Sequence, residues 1–240
     1  MTRAEIIADN LERVHARVSE ALLAAQRSAD TLRLLAVSKT VPAGDVVVAL
    51  TLGQRDFAES YGQEFRDKHK QVAAEATTQG LPDPQWHFIG PLQTNKVKYV
   101  AGNVALVHTT ATVPVLAEIE RKAAVAGVVQ DCLVQVNVAG ETQKSGLSPA
   151  ELPAMLDRFA ALSHVRCTGL MVIPPYDEDP EKSRPHFAAL RRLFEEQRGI
   201  ARPNVALAEL SMGMSHDLEV AIFEGATMIR VGTAIFGARV

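Results

Sequence analysis

The stretch LLAVSKT, residues 34–40, decides how the rest of the chain is read. Four apolar residues in succession (Leu34, Leu35, Ala36, Val37) predict a short strand buried on both faces. Lys39 stands where that strand gives out, and Val41-Pro42 and Gly44 follow as breakers. A lysine at a buried strand end costs free energy unless its charge is paired or shed. Desolvation lowers its pKa, and a neutral amine is the species that attacks an aldehyde to form a Schiff base. A lysine whose stem runs past the strand tip into solvent fits the same seven residues. The stretch alone leaves both readings open.

Upstream, Thr2 and Glu5 form a capping box, and Ile7, Leu11, Val14, Val18, Leu22 and Ala25 follow at helical spacing. A long helix therefore precedes the first strand. Downstream, helices are expected near 45–52, 63–78, 95–100, 114–126, 148–162, 180–197 and 218–224. The third-to-last contains the SPAE start at Ser148, and Pro185 should kink or delay the next one. Between them lie strands near 56–59, 85–89, 105–108, 132–138, 165–173, 208–212 and 228–231. With residues 34–37 these make eight βα units, without a composition break or a low-complexity linker. Alternating units imply a parallel sheet. A GxGxxG turn after the first strand would favour an open sheet, and SKTVPAG is not one. The expected fold is α/β: a single (β/α)8 TIM-type barrel over residues 1–240, with an extra N-terminal helix.

The totals agree with this. Of 240 residues, 47% are hydrophobic but only 5% aromatic, so the core is built mainly from Ala, Val, Leu and Ile. A net charge of −3, without a basic block, argues against a nucleic-acid partner. Cys132 and Cys167 lie in apolar strands, with no CxxC or Cys/His spacing for a metal. The N-terminus has no signal-peptide pattern, and no apolar run reaches the roughly 18 residues of a membrane span. The expectation is a cytoplasmic protein with no membrane partner.

In such a barrel, chemistry collects at the C-terminal ends of the strands. Those ends read Lys39, Ser60, His87, Asn137, Met171, Ser211 and Arg230-Val231-Gly232-Thr233. His87 also fits a hydrogen-bonded core residue, and Asn137 a loop cap. LSMGMSHDLE (210–219) sets Gly213 and Ser215 just before a helix start, which suits a phosphate. Asp217 and Glu219 in the same turn weaken that reading. The Gly232-Thr233 turn is a second such feature on the neighbouring strand. Lys39 is thus expected to face a phosphate site across the barrel mouth. An aldehyde carrying a phosphate satisfies both, and pyridoxal 5′-phosphate (PLP) is the candidate.

The chain also resembles a known family. LLAVSKT (34–40), FAESYGQE (57–64), WHFIGPLQTNK (86–96), QVNVAGETQKSGL (135–147), GLMVIPP (169–175), LSMGMSHDLEVAI (210–222) and MIRVGTAIFGAR (228–239) are similar, in order, to the pyridoxal phosphate homeostasis proteins, also called proline synthetase co-transcribed homologues. The resemblance implies an alanine-racemase-like barrel that binds PLP, with Lys39 as the Schiff-base residue. It sets the phosphate against Ser215, Gly232 and Thr233, and Arg230 toward the pyridine nitrogen. Lys144, in the QKSG loop, matches a lysine able to take part in cofactor transfer, and is also an ordinary exposed loop lysine. Ser60 stands where the family usually has Asn, the expected contact for the cofactor's ring hydroxyl. Pro91 stands where it usually has His.

Two functions follow from this reading: a carrier that stores PLP or delivers it to apo PLP-dependent enzymes, or a PLP-dependent amino-acid racemase. Racemisation needs a base on each face of the substrate carbanion. In the resembling racemases the second is a partner subunit's tyrosine, assembled with a C-terminal β-domain that this sequence is not expected to have. Tyr61, Tyr99 and Tyr176 are the only tyrosines. The expectation is a carrier, and a monomer.

Overall fold

The alternation of side chains along the strands sorts this chain into two cores. In the computed structural model, which describes residues 1–140 and 145–238, eight parallel strands pair in chain order and close into a barrel. They are β1 (Arg33–Val37), β2 (Asp56–Glu59), β3 (Gln85–Phe88), β4 (Leu106–Thr110), β5 (Gln130–Gln135), β6 (Val165–Met171), β7 (Val205–Met214) and β8 (Met228–Val231). Closure comes from β1 against β8, with Leu35 beside Arg230 and Ala36 beside Val231.

Outward-facing Ala36, Phe57, Trp86, Phe88, Val107, Val134, Leu170, Met212 and Val231 join the apolar stripes of the helices in the larger core. Inside the barrel the apolar cluster is small: Leu35, Val37, Ala58, Leu106, Leu133, Met171 and Met228. Burying each large side chain stabilises the fold by about 1.5–3 kcal/mol, so most of the driving force lies in the outer layer. The interior is left free to hold polar groups.

The helices are α1 (Arg3–Ala24), α2 (Ala43–Thr51), α3 (Gly62–Gln79), α4 (Val97–Val100), α5 (Val113–Ala126), α6 (Leu152–Ala160), α7 (Arg184–Arg198), α8 (Leu218–Phe223) and α9 (Thr233–Phe236). The capping box closes as read: the Glu5 carboxylate accepts from Thr2 N–H at 2.6 Å, and Thr2 Oγ1 accepts from Glu5 N–H at 3.2 Å. Pro185 delays a helix start instead of kinking it. A 3₁₀ turn, Pro180–Ser183, comes first, and Pro185 sits in the first turn of α7, where its missing N–H costs nothing.

Two boundaries differ instructively from the sequence reading. Strand β5 ends at Gln135 and not at 138, because the chain there turns to pair Asn137 N–H with Leu147 O at 2.9 Å. Strand β7 runs from Val205 to Met214, longer at both ends than 208–212. Its bulges against β6 and β8 carry it over the rim, and Gly213, at φ +91°, is the bend. A Cβ there would meet the Ala221 Cβ at 2.5 Å, so α8 packs against this strand only because the residue is glycine. Helix α9 was not foreseen.

Candidate functional site

The tip of β1 is held from below. Leu35 and Val37 point into the barrel and buried Ser38 faces the other way, toward α3, while Lys39 follows just past the strand end. Ser38 N–H extends the ladder to Ala58 O at 2.9 Å, and Val41 N–H returns to Ser38 O at 3.0 Å, closing a tight turn over Lys39 and Thr40. Thr40 takes φ +62°, a left-handed conformation unusual for a β-branched residue.

Three ionisable residues, none foreseen as site residues, brace this turn. Lys68 lies on α3 with a side chain only 6% exposed. Its Nζ donates to Ser38 O at 2.6 Å, Glu59 Oε1 at 2.7 Å and Glu64 Oε1 at 2.6 Å. Ser38 Oγ donates to Glu59 Oε1 at 2.7 Å, and Thr40 N–H donates to Glu64 Oε1 at 2.6 Å. Burial raises the Glu59 pKa, against the opposing pull of Lys68 and Ser38. The Glu64/Lys68 spacing of four residues was the available signal. What it could not tell is that Glu59, one strand earlier, shares the same ammonium.

A second polar assembly threads the barrel interior. Arg230, 3% exposed, donates from Nη1 to Ser211 Oγ at 2.6 Å and from Nη2 to Val172 O at 2.8 Å. Ser211 Oγ lies 2.9 Å from His108 Nδ1, His108 Nε2 lies 3.0 Å from His87 Nδ1, and His87 Nε2 lies 3.1 Å from Asp56 Oδ1. Burial, the largest cause for each, lowers both imidazole pKa values and favours the neutral rings. With Asp56 accepting, the directions then run from the Ser211 hydroxyl to His108, from His108 to His87, and from His87 to Asp56, with both rings protonated on Nε2. Burial also pushes Arg230 down to about 10. His87 accordingly joins the core chain that runs to the base of the barrel and does not stand at the mouth; its hydrogen-bonded core reading is the one realised.

Turns at the ends of β7 and β8 complete this side of the mouth. Ser215, partly buried, follows β7, and its carbonyl accepts from Arg17 Nη2 at 3.1 Å. The two acids that weakened the anion reading have partners of their own. Asp217 accepts from Met214 N–H at 2.7 Å and Ser183 Oγ at 2.8 Å, and Glu219 pairs with Arg17 at 2.8 Å. Gly232 lies against the end of β1, where a Cβ would stand 3.3 Å from Val37 Cβ and from Val37 O. This corrects one expectation: strand closure sets the Gly232-Thr233 turn beside Lys39, not across the mouth from it. Buried Ser60, on the interior alternation of Ala58, follows β2, and a Cβ on Gly90 would overlap its carbonyl. Pro91 lines a cavity of about 280 Å³ with Thr109, Gln135 and Ser145, on a side of the mouth away from β1 and β8. Lys144 lies outside the described residues.

The residues present fit a phosphorylated aldehyde in kind: a lysine just past the tip of β1, a glycine turn and hydroxyls after β7 and β8, and a buried guanidinium on β8. Comparison with known proteins agrees. Residues 9–240 match the family model described as alanine racemase, N-terminal domain. The pyridoxal phosphate homeostasis protein of Aquifex aeolicus is 43% identical over 231 residues, covering 96% of this chain and 97% of that one. Its counterpart in Escherichia coli (strain K12) is 38% identical, with 97% of each chain covered. Among solved structures, PipY of Synechococcus elongatus PCC7942 with PLP bound is 33% identical at a TM-score of 0.80, covering 96% of this chain and all of that one. An alanine racemase of Clostridium difficile, 13% identical at a TM-score of 0.68, shares the fold over 95% of this chain but 56% of its own length.

Proposed function

The chain belongs to the alanine racemase N-terminal domain family and, within it, to the pyridoxal phosphate homeostasis proteins, and from that membership we propose that its barrel mouth holds PLP in reserve for other proteins. The observation that carries this reading is the place of Lys39 just past the tip of β1, against which Gly232 packs, with Arg230 buried on the neighbouring β8. Bound there, the cofactor supplies an aldehyde that a lysine amine takes up reversibly. Lys39 is the amine. Ser215, Gly232 and Thr233 would hold the phosphate, Arg230 would face the pyridine nitrogen, and Ser60 would serve the ring hydroxyl.

Storage fits these residues better than turnover. A guanidinium beside the pyridine nitrogen would disfavour protonation there and make the ring a weaker electron sink than one paired with a carboxylate, a feature the resembling racemases share. A racemase also needs a second base held in dry, preorganised surroundings. Tyr61 and Tyr176 are 54% and 78% exposed, and the Tyr99 ring is engaged by Arg66, Lys96 and Lys98. Among the described residues no helix is long and apolar enough to cross a membrane. A monomer in the cytoplasm that hands PLP to apo-enzymes is the form this function takes.

Borohydride reduction of the PLP-loaded protein, followed by peptide mapping, should place the adduct on Lys39, and Lys39→Ala should lose it. Adduct on Lys96 or Lys144 instead would overturn the assignment. The loaded protein should also reactivate an apo PLP-dependent enzyme without exchanging the α-proton of alanine, serine or proline in deuterated buffer. Steady deuterium uptake that Lys39→Ala abolishes would make the racemase reading the right one.

A further inference from the structure

Lys39 is presented by a turn that its own residues do not favour. The second corner position, Thr40, has φ +62°, a place normally taken by Gly or Asn. A β-branched side chain there costs free energy and persists only where the surroundings over-determine it. Both peptide groups flanking Lys39 are tied to one assembly. Lys68 Nζ grips the Ser38 carbonyl, and Glu64 Oε1 accepts the Thr40 N–H. Glu59, fully buried on β2, fixes Lys68 and the Ser38 hydroxyl together. All three Lys68 N–H donors are thereby used, and two elements, β2 and α3, lock a third.

We infer that Glu59, Glu64 and Lys68 form a clamp whose task is to hold the Ser38–Thr40 backbone in its left-handed turn, and so to aim the Lys39 amine at the aldehyde. The inference rests on the reading of Lys39 as the cofactor lysine. The three are positioning residues: they act on the backbone on either side of Lys39 and touch no cofactor. A general stabilising role would need none of this geometry, because an ion pair elsewhere between β2 and α3 would serve. The clamp closes on the two peptide groups that set the Lys39 direction.

Glu64 offers the cleanest test, since its side chain is 26% exposed and its loss leaves the Lys68–Glu59 pair intact. Glu64→Ala should slow formation of the borohydride-trapped Lys39 adduct by about tenfold, the scale on which one left-handed non-glycine residue is disfavoured. Adding Thr40→Gly, which tolerates positive φ without help, should restore the rate to within about threefold of the parent. Glu64→Gln keeps an oxygen for Thr40 N–H and should react nearly as the parent does. The melting temperature of each PLP-free variant reports folding separately, and slow exchange of the Thr40 amide in the parent tests the bond without any variant. Adduct formation at the parental rate in Glu64→Ala would overturn the clamp, as would a slowed rate that Thr40→Gly fails to rescue or a freely exchanging Thr40 amide. If the parent itself gave no adduct on Lys39, the functional reading would fall instead, so the two failures are distinguishable.

Discussion

The chain keeps two polar assemblies out of water, and they are built on opposite principles. Outside the barrel wall, under the tip of β1, the Lys68 ammonium meets two carboxylates and a carbonyl at 2.6–2.7 Å, while Glu59 Oε2 is buried without a partner among the described residues. Inside the wall, two neutral imidazoles and a hydroxyl connect Arg230 to Asp56 over links of 2.6–3.1 Å. The first assembly holds backbone and the second holds one side chain. Fixing a backbone turn against its preference takes strong, convergent charge-assisted bonds. Orienting a guanidinium takes a row of acceptors and donors with consistent direction, and neutral groups do this without burying further charge. Loss of one partner should therefore be felt very differently in the two.

The largest effect is expected from Lys68→Met, which strands Glu59 as a buried carboxylate without its cation. Breaking such a pair costs about 3–5 kcal/mol, read as a lowered urea midpoint in the PLP-free protein. A loss under about 1 kcal/mol would make the assembly no stronger than a surface pair and erase the contrast with the interior chain. Ser211→Ala cuts the interior chain at its joint, leaving His108 Nδ1 and one Arg230 donor unmatched. About 1–3 kcal/mol should be lost by the same measurement, and PLP affinity should weaken as Arg230 loses its anchor. Unchanged affinity would free Arg230 from dependence on the chain.

The smallest effect, and the sharpest for the tautomers, is the pH response of the interior chain. For His87, burial is opposed by Asp56 and Glu209 and reinforced by Arg33; for His108, burial is reinforced by His87, Arg230 and Arg33. Each folded-state pKa lies below the ordinary value of 6.5, so between the two pH values the unfolded chain binds the extra proton. This stability is complete above about pH 6.5 and is lost as the pH falls, by at most about 1.4 kcal/mol per pH unit for each proton. Denaturation midpoints between pH 7.5 and 5.5 should show the slope. In the same range, two of the seven imidazoles should fail to titrate near 6.5 by NMR. If all seven titrate normally, the neutral chain is wrong.

Much of this molecule is legible one residue after another. Eight apolar segments separated by helical periods, a capping box at Thr2 and Glu5, and a proline at the start of α7 are local facts, set by side-chain periodicity and backbone sterics. Lys39 is legible too, because a lysine that ends a buried strand is anomalous by itself. The glycine turns pointed to Ser215, Gly232 and Thr233 as a phosphate site, and the resemblance to a known family implied the same roles and added one for Arg230, which spacing alone did not suggest. The burial of Lys68 has no local signal, for a physical reason. A lysine four residues after a glutamate has the spacing of an exposed helical pair, and its burial depends on where α3 lands against β2.

Length, composition and period thus determined the barrel and the lysine at its first strand tip, since each rests on interactions among near neighbours in the chain. Tertiary structure alone decided what surrounds that lysine. Closure of β1 on β8 brings Gly232 against Val37 across almost 200 residues. His87 finds His108 twenty-one residues away and His108 finds Ser211 at a separation of 103, because inward-facing positions of different strands meet only when the sheet closes. Such pairings leave no periodic trace in the sequence. They exist only once the outer hydrophobic layer has driven the strands together, so the polar contacts under the β1 tip and inside the barrel were settled by the fold.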